Sequence, residues 1–206
     1  VHEAIGRRGF AGPHLRPIQQ GVMIAGAAVT VSSHPGDNLM IHAAVEVCEP
    51  GDVLVVTNTA PSTHGMFGEL LAGSLQARGV RGLVIDAGVR DTAELRAMSF
   101  PVWSRYVSCQ GTVKSSPGSV NVPVVLGEQV VRPGDIVCAD DDGVVVVPRA
   151  EAAEAVALSR ARLDKEAATR ARLRGGELGL DIYDLRATLA ALGVEYVDRL
   201  DPENLP

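Results

Sequence analysis

The stretch Leu83-Val84-Ile85-Asp86-Ala87-Gly88-Val89-Arg90-Asp91 decides the fold of this chain. Its first three residues are apolar and largely β-branched, which is typical of a strand that is buried on both faces. A short helical segment over residues 92–98 follows directly. We therefore expect Arg90 and Asp91 to lie where a strand ends and a helix begins, the place where α/β folds gather their ligands.

The residues before this stretch predict the same alternation of strands and helices. The predicted elements are a helix over 2–8, a strand over 22–31, a helix over 39–47 capped by Asn38, a strand over 53–57, a polar loop over 58–66 and a helix over 67–78. Buried strands that alternate with helices indicate an α/β core with parallel pairing.

The residues after this stretch predict mainly short strands, over 102–107, 120–126, 136–139 and 144–147. Between the last two, Asp141-Asp142-Gly143 is typical of a hairpin turn. The predicted fold class is therefore α/β, with a mixed central sheet curled as a sandwich or barrel and helices packed outside it. A helical extension at the carboxyl end completes the prediction.

The extension begins as a long, charged, Ala-rich helix over residues 151–174 and continues with a short helix over 182–192 and a polar tail. The apolar stripe on the long helix is narrow, so this helix gains little from the core of its own chain. We predict an α/β catalytic core over 1–150 and an extension over 151–206 that packs on a neighbouring subunit. The alternative is a helix that lies across its own sheet.

Composition limits the class of protein. The formal net charge is -6, with acidic and basic residues interspersed, so the basic stripe of a nucleic-acid-binding protein is absent from the sequence. The chain carries three well-separated cysteines, which we expect to be buried in a reducing compartment. We find neither a signal peptide at residue 1 nor an apolar run of membrane-spanning length, and we expect a cytoplasmic protein without membrane partners.

Two segments carry the candidate chemistry. Gly68-Glu69-Leu70-Leu71 lies at a loop-to-helix junction, where unpaired amides of the first turn can hold a carboxylate. Arg90 offers a planar fork for a carboxylate or enolate oxygen, and Asp91 is a suitable oxygen ligand for Mg²⁺ or Mn²⁺. On local pattern alone, a helix start with an exposed arginine explains this pair equally well.

Other polar residues are weaker candidates. Asp86 ends the predicted strand and is more typical of a turn, and Glu94 either supports Asp91 or faces solvent. His34, His42 and His64 lack metal-ligand spacing, and only His64 is close enough to Gly68 in sequence to contact a substrate. Asp140-Asp141-Asp142 resembles a metal cluster, but a hairpin turn is the more common explanation.

Several of these motifs together closely resemble the 4-hydroxy-4-methyl-2-oxoglutarate/4-carboxy-4-hydroxy-2-oxoadipate aldolases of the regulator of ribonuclease activity A superfamily. The resemblance covers nearly the whole chain and is specific at the level of the superfamily. The segments that carry it are 68–71, Gly79-Val80-Arg81-Gly82 continuing to Asp91, Phe100-Pro101-Val102-Trp103-Ser104, Gly118-Ser119-Val120-Asn121-Val122-Pro123-Val124, Pro133-Gly134-Asp135 and Asp140-Asp141-Asp142-Gly143-Val144.

The resemblance implies a role for each candidate residue. Asp91 would hold a divalent metal together with waters, and Arg90 would bind the pyruvate carboxylate and its oxo or enolate oxygen. The amides of Leu70 and Leu71 would complete the pyruvate site beside Gly68. Position 69 is Glu where these aldolases more often have Asp, and Glu69 would act through a metal-bound water.

The resemblance also implies an assembly and an activity. Glu166, in the segment Lys165-Glu166, and Glu3 would reach the active site of a neighbour in a trimer or hexamer. The implied reaction is aldol cleavage of a small 2-oxo acid to pyruvate plus pyruvate or oxaloacetate, with decarboxylation of oxaloacetate as a side activity. The alternatives are a non-catalytic inhibitor of ribonuclease E and an enzyme whose main activity is oxaloacetate decarboxylation.

Overall fold

The computed structural model describes residues 1–197 and gives them a mixed α/β fold. The strands are β1 (Arg16–Pro17), β2 (Ile24–Ser33), β3 (Val53–Asn58), β4 (Gly65–Phe67), β5 (Gly82–Val89), β6 (Val102–Val107), β7 (Ser119–Val120), β8 (Val124–Leu126), β9 (Gln129–Val131), β10 (Ile136–Ala139) and β11 (Val144–Val147). The helices are α1 (Leu39–Val47), α2 (Glu69–Ala77), α3 (Thr92–Ala97), α4 (Ala152–Arg174), α5 (Gly179–Ile182) and α6 (Leu185–Ala191).

Four parallel strands form the centre of the main sheet, in the order β6-β5-β3-β2. Both faces of β3 and of nearly all of β5 are buried, as their continuous aliphatic runs predict. In β3, Leu54 and Val56 join an apolar cluster on one face, while Val53 and Val55 join a second cluster on the other. Strand geometry in β5 continues to Val89, so the strand leads directly into Arg90 and Asp91.

The main sheet curls until its two ends approach each other. β1 pairs with β6 at one end, and the β10–β11 hairpin pairs with β2 at the other. Trp103 of β6 donates a hydrogen bond from Nε1 to the carbonyl oxygen of Asp140, 2.7 Å away in the hairpin turn. Arg16 of β1 donates to the carbonyl oxygens of Asp141 and Asp142 in the same turn. These bonds join opposite ends of the sheet, and the predicted curled mixed sheet is confirmed.

Helices cover one face of the sheet and a small antiparallel pair of strands covers the other. α1, α2 and α3 place Ile41, Leu75 and Leu95 in the first apolar cluster. β8 and β9 pair with each other and place Leu126 and Val131 in the second cluster. The carboxyl end of β5 is supported by the first cluster, which includes Ala87 and Val89.

Two predicted elements among residues 1–150 are wrong for a reason of backbone geometry, and residues 65–67 form β4 where the end of a loop and the start of a helix were predicted. Residues 2–8 form hydrogen-bonded turns and no helix, because Gly6 and Arg7 adopt left-handed backbone conformations with φ of 78° and 60°. The predicted strand over 120–126 divides into β7 and β8. Asn121 is left-handed, with φ of 55°, and Pro123 has no N–H to donate to a neighbouring strand.

Two further details differ from the predictions. Asn38 precedes α1 but makes no side-chain cap bond; its Nδ2 donates instead to the carbonyl oxygen of Met66, 3.1 Å away. Cys109 is exposed in the segment after β6 and Cys138 is half-buried, so the prediction of buried cysteines holds only for Cys48. Burial raises the pKa of the Cys48 thiol to about 11, which keeps it protonated and unreactive.

The chain divides within α4 into two compact units, of which the first is Val1–Ser159 and the second begins at Arg160. In the first unit, Ala155 of α4 is buried with Ile5 and Val147. In the second, the predicted helix over 182–192 is interrupted at Asp184, whose φ is 52°, so α5 and α6 are separate. The predicted packing of the extension on a neighbouring subunit stays a prediction, and the end of the predicted polar tail lies outside the described residues. No helix within residues 1–197 is both long and apolar enough to span a membrane.

Candidate active site

The pairing of β4 with β5 brings the two candidate segments together. Gly65 pairs with Gly88 and Phe67 with Val89, so both strands end at the same edge of the sheet. The amide of Arg90 donates a hydrogen bond to the carbonyl oxygen of Phe67 at 2.8 Å. Because α2 begins directly after β4 and α3 directly after β5, the starts of the two helices lie side by side.

Gly68 is the point of closest approach between these segments. A Cβ atom on Gly68 would lie 2.3 Å from Oδ2 of Asp91 and 3.1 Å from Cγ of Arg90. The φ of Gly68 is -159°, an extended conformation that any residue adopts. The requirement for glycine is therefore one of space, because the Asp91 carboxylate occupies the place that a side chain at position 68 would take.

Asp91 holds an unusual conformation that turns its carboxylate towards α2. Its backbone is left-handed, with φ of 55° and ψ of 40°, and its side chain does not cap α3, the helix that it precedes. Oδ2 instead accepts a hydrogen bond from the amide of Glu69 at 3.2 Å. The start of α2 stabilises this negative charge, because its unpaired amides carry partial positive charge.

Arg90 stands beside Asp91 without forming a close ion pair. Its Nε lies 3.7 Å from Oδ2 of Asp91, and both side chains are 40% exposed. The backbone around Arg90 is tightly packed, since a Cβ on Gly65 would lie 3.1 Å from Cβ of Arg90 and 2.3 Å from the carbonyl oxygen of Ser108. The result is a fixed backbone that carries an open guanidinium group.

The remaining residues of the predicted pyruvate site divide between solvent and core. Glu69 and Leu70 are exposed, and 81% of Leu70 is accessible. Leu71 is buried in the first apolar cluster, so only its backbone can contribute to the site. The structure thus brings Gly68, Glu69, Arg90 and Asp91 together, as the strand–helix pattern and the resemblance predict.

Glu3 and Glu166 lie on other elements. Glu3 is in the first turn of the chain and pairs with Arg7, 3.2 Å away. Glu166 lies in the second unit and pairs with Arg162 one helical turn earlier, at 2.7 Å. Their predicted reach into a neighbouring subunit stays a prediction.

The weaker candidates have other partners. His64 contacts the hydroxyl of Ser62 through Nδ1 at 3.2 Å, and Glu94 is exposed on α3. Asp140 accepts hydrogen bonds from the amides of Asp142 and Gly143, which is the geometry of a hairpin turn. Residues 1–197 contain no group of three or more His, Cys, Asp or Glu side chains that could hold a metal ion.

Asp86 lies within β5, and sequence reasoning missed its partner. Arg105 of β6 donates hydrogen bonds to both carboxylate oxygens of Asp86, with Nη2 lying 3.0 Å from Oδ2. The signal that could have found this pair is strand register, because Ile85 pairs with Ser104 in the parallel ladder. The register shifts by one residue between Ile85 and Gly88, and Asp86 lies in this irregular stretch beside Arg105.

Comparisons with known proteins agree with this geometry. Residues 1–146 match the family described as RraA-like: Aldolase/RraA. A protein of Halalkalibacterium halodurans named "Putative 4-hydroxy-4-methyl-2-oxoglutarate aldolase" is 32% identical over 137 residues, which cover 66% of this chain and 65% of that protein. A protein of the same name from Burkholderia multivorans is 36% identical over 134 residues, covering 65% of this chain and 81% of that one.

A solved structure shares the fold. RraAS2 of Streptomyces coelicolor, described as an unusual member of the RNase ES inhibitor RraA protein family, superposes with a TM-score of 0.73. It is 30% identical, and the match covers 83% of this chain and 89% of that one. With the family matched over residues 1–146 and the fold shared with a solved relative, this chain belongs to the RraA-like family of aldolases and RraA proteins.

Proposed function

We propose that this chain is a divalent-metal-dependent aldolase that releases pyruvate from a small carboxylated 2-oxo acid. The proposed substrates are 4-hydroxy-4-methyl-2-oxoglutarate and 4-carboxy-4-hydroxy-2-oxoadipate, and the second product is pyruvate or oxaloacetate. Decarboxylation of oxaloacetate is the expected side activity, because it passes through the same enolate. The observation that carries the proposal is the meeting of Arg90 and Asp91 with the first turn of α2.

Arg90 and the start of α2 supply the groups that a 2-oxo acid needs. The guanidinium of Arg90 stands apart from Asp91 and is open to solvent, so its planar fork is available to a carboxylate and the adjacent oxo oxygen. The amides of Leu70 and Leu71 belong to the first turn of α2, where N–H groups lack an acceptor within the helix. Together these donors would bind the pyruvate half of the substrate.

Asp91 is the residue proposed to hold Mg²⁺ or Mn²⁺. Its exposed carboxylate is a hard oxygen donor, and the absence of a side chain at Gly68 allows Oδ2 to approach the start of α2. Mg²⁺ usually takes one or two carboxylates and keeps several waters, which fits a site with a single fixed aspartate and Glu69 beside it. When bound, the ion would act as a Lewis acid that stabilises charge on the oxo oxygen.

The reaction breaks the C3–C4 bond of the substrate. The C4 hydroxyl loses its proton, C4 becomes a carbonyl carbon, and the electron pair of the broken bond passes into the enolate of pyruvate. Arg90 donates hydrogen bonds to the enolate oxygen as its charge develops. Glu69, exposed at the first position of α2, orders the water that takes the hydroxyl proton, and a proton then adds to C3 to give pyruvate.

Glu166 and Glu3 are proposed to complete the site from a neighbouring subunit of a homo-oligomer, a trimer or a hexamer. Support comes from apolar side chains left exposed on α4, among them Leu163 and Leu173, which a partner subunit would cover. Glu166 already has a cation beside it in Arg162. In an assembled site, Glu166 would therefore contribute a carboxylate whose negative charge is partly balanced by Arg162.

One alternative function has an observation in its favour. The family of RraAS2, whose structure this chain resembles, is described as inhibiting RNase ES. A regulator of this kind needs a binding surface for a ribonuclease and has no requirement for Arg90, Asp91 or a metal ion. The two functions therefore differ in what they demand of the site.

The deciding experiment measures pyruvate release by the purified chain from each hydroxy-oxo acid and from oxaloacetate, with lactate dehydrogenase as the coupling enzyme. We expect turnover with Mg²⁺ or Mn²⁺ that is abolished by EDTA and restored by added metal. Comparison of kcat/KM among the substrates then separates an aldolase from a dedicated oxaloacetate decarboxylase. Absence of turnover with every substrate, together with inhibition of ribonuclease E, would overturn the proposal.

A further inference from the structure

Asn38 connects the start of α1 to β4, the short strand that directly precedes Gly68. Its Nδ2 donates a hydrogen bond to the carbonyl oxygen of Met66, 3.1 Å away. Its backbone amide donates to the carbonyl oxygen of Val113, also at 3.1 Å. Only 3% of Asn38 is exposed, so both bonds are shielded from water. One buried residue therefore joins α1, β4 and the segment that follows β6.

The side chain of Asn38 does not cap the helix that it precedes. An asparagine at this position commonly accepts a hydrogen bond from an amide of the first helical turn, but Asn38 makes no such bond. The carboxylate of Asp37 accepts from the amide of Leu39 instead. Among the described residues, Oδ1 of Asn38 is buried without a partner, which lowers stability. The orientation of this side chain is therefore explained by its bond to β4 and not by the needs of α1.

The strand β4 depends on such a contact because its own pairing is short. It has three residues, and its first and last residues pair with Gly88 and Val89 of β5, with a shift of register between the two pairs. Few ladder hydrogen bonds hold a strand of this length. The bond from Asn38 reaches Met66, the residue between the two pairs, so it fixes β4 at its centre.

The position of β4 determines the geometry of the candidate active site. The carbonyl oxygen of Phe67 accepts the hydrogen bond from the amide of Arg90, and Gly68 and Glu69 follow directly. The amide of Glu69 then donates to Oδ2 of Asp91. A displacement of β4 would therefore alter the contact between the start of α2 and the Asp91 carboxylate.

We propose that Asn38 is a positioning residue for this site and acts through Met66 and β4 on the Asp91 carboxylate. The inference rests on the proposed function, because it gives Asn38 a part in that reaction. Residues that orient a metal ligand without touching the metal typically contribute about 10–100-fold to metal affinity or activity.

The test is Asn38→Leu, which keeps the size of the side chain and removes its donor. We expect kcat/KM for pyruvate release to fall by about 10-fold and the Mg²⁺ concentration for half-maximal activity to rise. The Tm should change little, because leucine removes the unpaired Oδ1 together with the bond to Met66. Asn38→Ser should show the same losses, since its hydroxyl can cap α1 but is too short to replace the bond to β4.

Thr30→Val is the matched control. Thr30 is buried in β2, and its Oγ1 donates to the carbonyl oxygen of Val122 at 2.6 Å, so the variant loses the same kind of bond in a different part of the sheet. We expect a lower Tm with the kcat/KM and Mg²⁺ dependence of the wild type. A general loss of folded protein lowers the apparent kcat but leaves the Mg²⁺ dependence unchanged, which separates positioning from stability.

Hydrogen–deuterium exchange of the metal-free protein tests the positioning role without a substrate. In Asn38→Leu, we expect residues 65–70 and 88–91 to exchange faster than in the wild type, and residues 53–57 of β3 to be unchanged. If the wild type turned over no substrate, the proposed function would fail, and the exchange data would still support or overturn the positioning role. Unchanged exchange at 65–70 and 88–91, a uniform rise that includes 53–57, or wild-type kcat/KM and Mg²⁺ dependence in Asn38→Leu would each overturn the proposal.

Discussion

Two arginine–aspartate pairs involve β5, one from within the strand and one directly after it, and they are built in opposite ways. Asp86 and Arg105 meet through two hydrogen bonds, and only 17% and 32% of their side chains are exposed. Arg90 and Asp91 are adjacent in sequence, yet their charged groups stay 3.7 Å apart and open to solvent. Asp86 and Arg105 therefore satisfy each other's charge and hydrogen-bonding groups, whereas the charged groups of Arg90 and Asp91 are available to a ligand.

The difference arises from the backbone. Asp86 and Arg105 extend from neighbouring strands, at the point where the register of β5 and β6 shifts by one residue, and their side chains meet directly. Asp91 is in a left-handed conformation, and its carboxylate accepts a hydrogen bond from the Glu69 amide of α2. This hydrogen bond directs the Asp91 carboxylate towards α2 and away from the Arg90 guanidinium. Strained backbone that is fixed by its surroundings is common at functional sites. We therefore assign activity to the open pair and stability to the closed one.

Arg90→Ala should give the largest effect, because it removes the donor that stabilises the enolate. We expect kcat/KM for pyruvate release to fall by about 1,000-fold, with no change in Tm. Arg132→Ala is the matched control, since Arg132 is exposed and distant in sequence from the site. Near-wild-type turnover in Arg90→Ala would remove Arg90 from the mechanism.

Gly68→Ala tests the close approach between the two segments. The new Cβ would lie 2.3 Å from Oδ2 of Asp91, so the carboxylate must move, and we expect kcat/KM to fall by about 100-fold. Gly73→Ala in the same helix is the control, because its Cβ would meet only Cε of Met98, at 3.9 Å. Equal rates in both variants would show that the position of Asp91 is not critical.

A mixing experiment tests whether Glu166 acts across a subunit interface. Arg90→Ala and Glu166→Gln should each be weakly active alone. After the two are unfolded together and refolded, we expect roughly a quarter of wild-type activity, because about one site in four then combines an intact Arg90 with an intact Glu166 from its neighbour. A mixture no more active than its components, from variants shown to form mixed oligomers, would place Glu166 outside the site.

Asp86→Asn should affect stability and leave kcat/KM unchanged. It removes the charge that balances Arg105, and we expect the free energy of unfolding in urea to fall by about 2 kcal/mol, less than for a fully buried pair. Asp142→Asn, in the exposed hairpin turn, is the control. A large loss of turnover without a loss of stability would reverse the roles assigned to the two pairs.

Asp37 extends the comparison to a carboxylate held by amides. Burial acts to raise its pKa, but hydrogen bonds from the amides of Leu39, Ser115 and Ser116 outweigh burial and hold the pKa well below its ordinary value. The stabilisation is therefore present above the pKa of an unfolded aspartate, about 4, and is lost as the pH falls towards the folded-state value. The unfolding free energy of wild type minus that of Asp37→Asn should shrink below this pH; a difference independent of pH would contradict the assignment.

Much of the fold is predictable from sequence because it depends on local patterns. The bounds of β6, β10, β11 and α1 match their predictions, since aliphatic runs are interrupted there by Gly, Pro and Asp turns. Errors occur where single residues such as Arg7 and Asn121 adopt left-handed conformations. The local sequence does not predict these conformations. The bonds of Trp103 and Arg16 to the distant hairpin turn depend on tertiary contact alone.

The candidate site shows the same division. Arg90 and Asp91 were identifiable because they follow a predicted strand, and Gly68 because it lies at a predicted loop-to-helix junction. The hydrogen bond between the Asp91 carboxylate and the Glu69 amide was not identifiable, because it requires the pairing of β4 with β5. The hydrogen bond from Asn38 to Met66 was likewise not identifiable, because the sequence predicts Asn38 as a helix cap.

The most direct measurement compares the Mg²⁺ dependence of pyruvate release by the wild type and by Asp91→Asn. Asparagine tolerates the left-handed conformation at this position and keeps the shape of the side chain, so the substitution removes mainly the charge. We predict saturable activation of the wild type by Mg²⁺ and no activation of Asp91→Asn at any Mg²⁺ concentration. Equal rates and equal Mg²⁺ dependence in the two proteins would contradict the account.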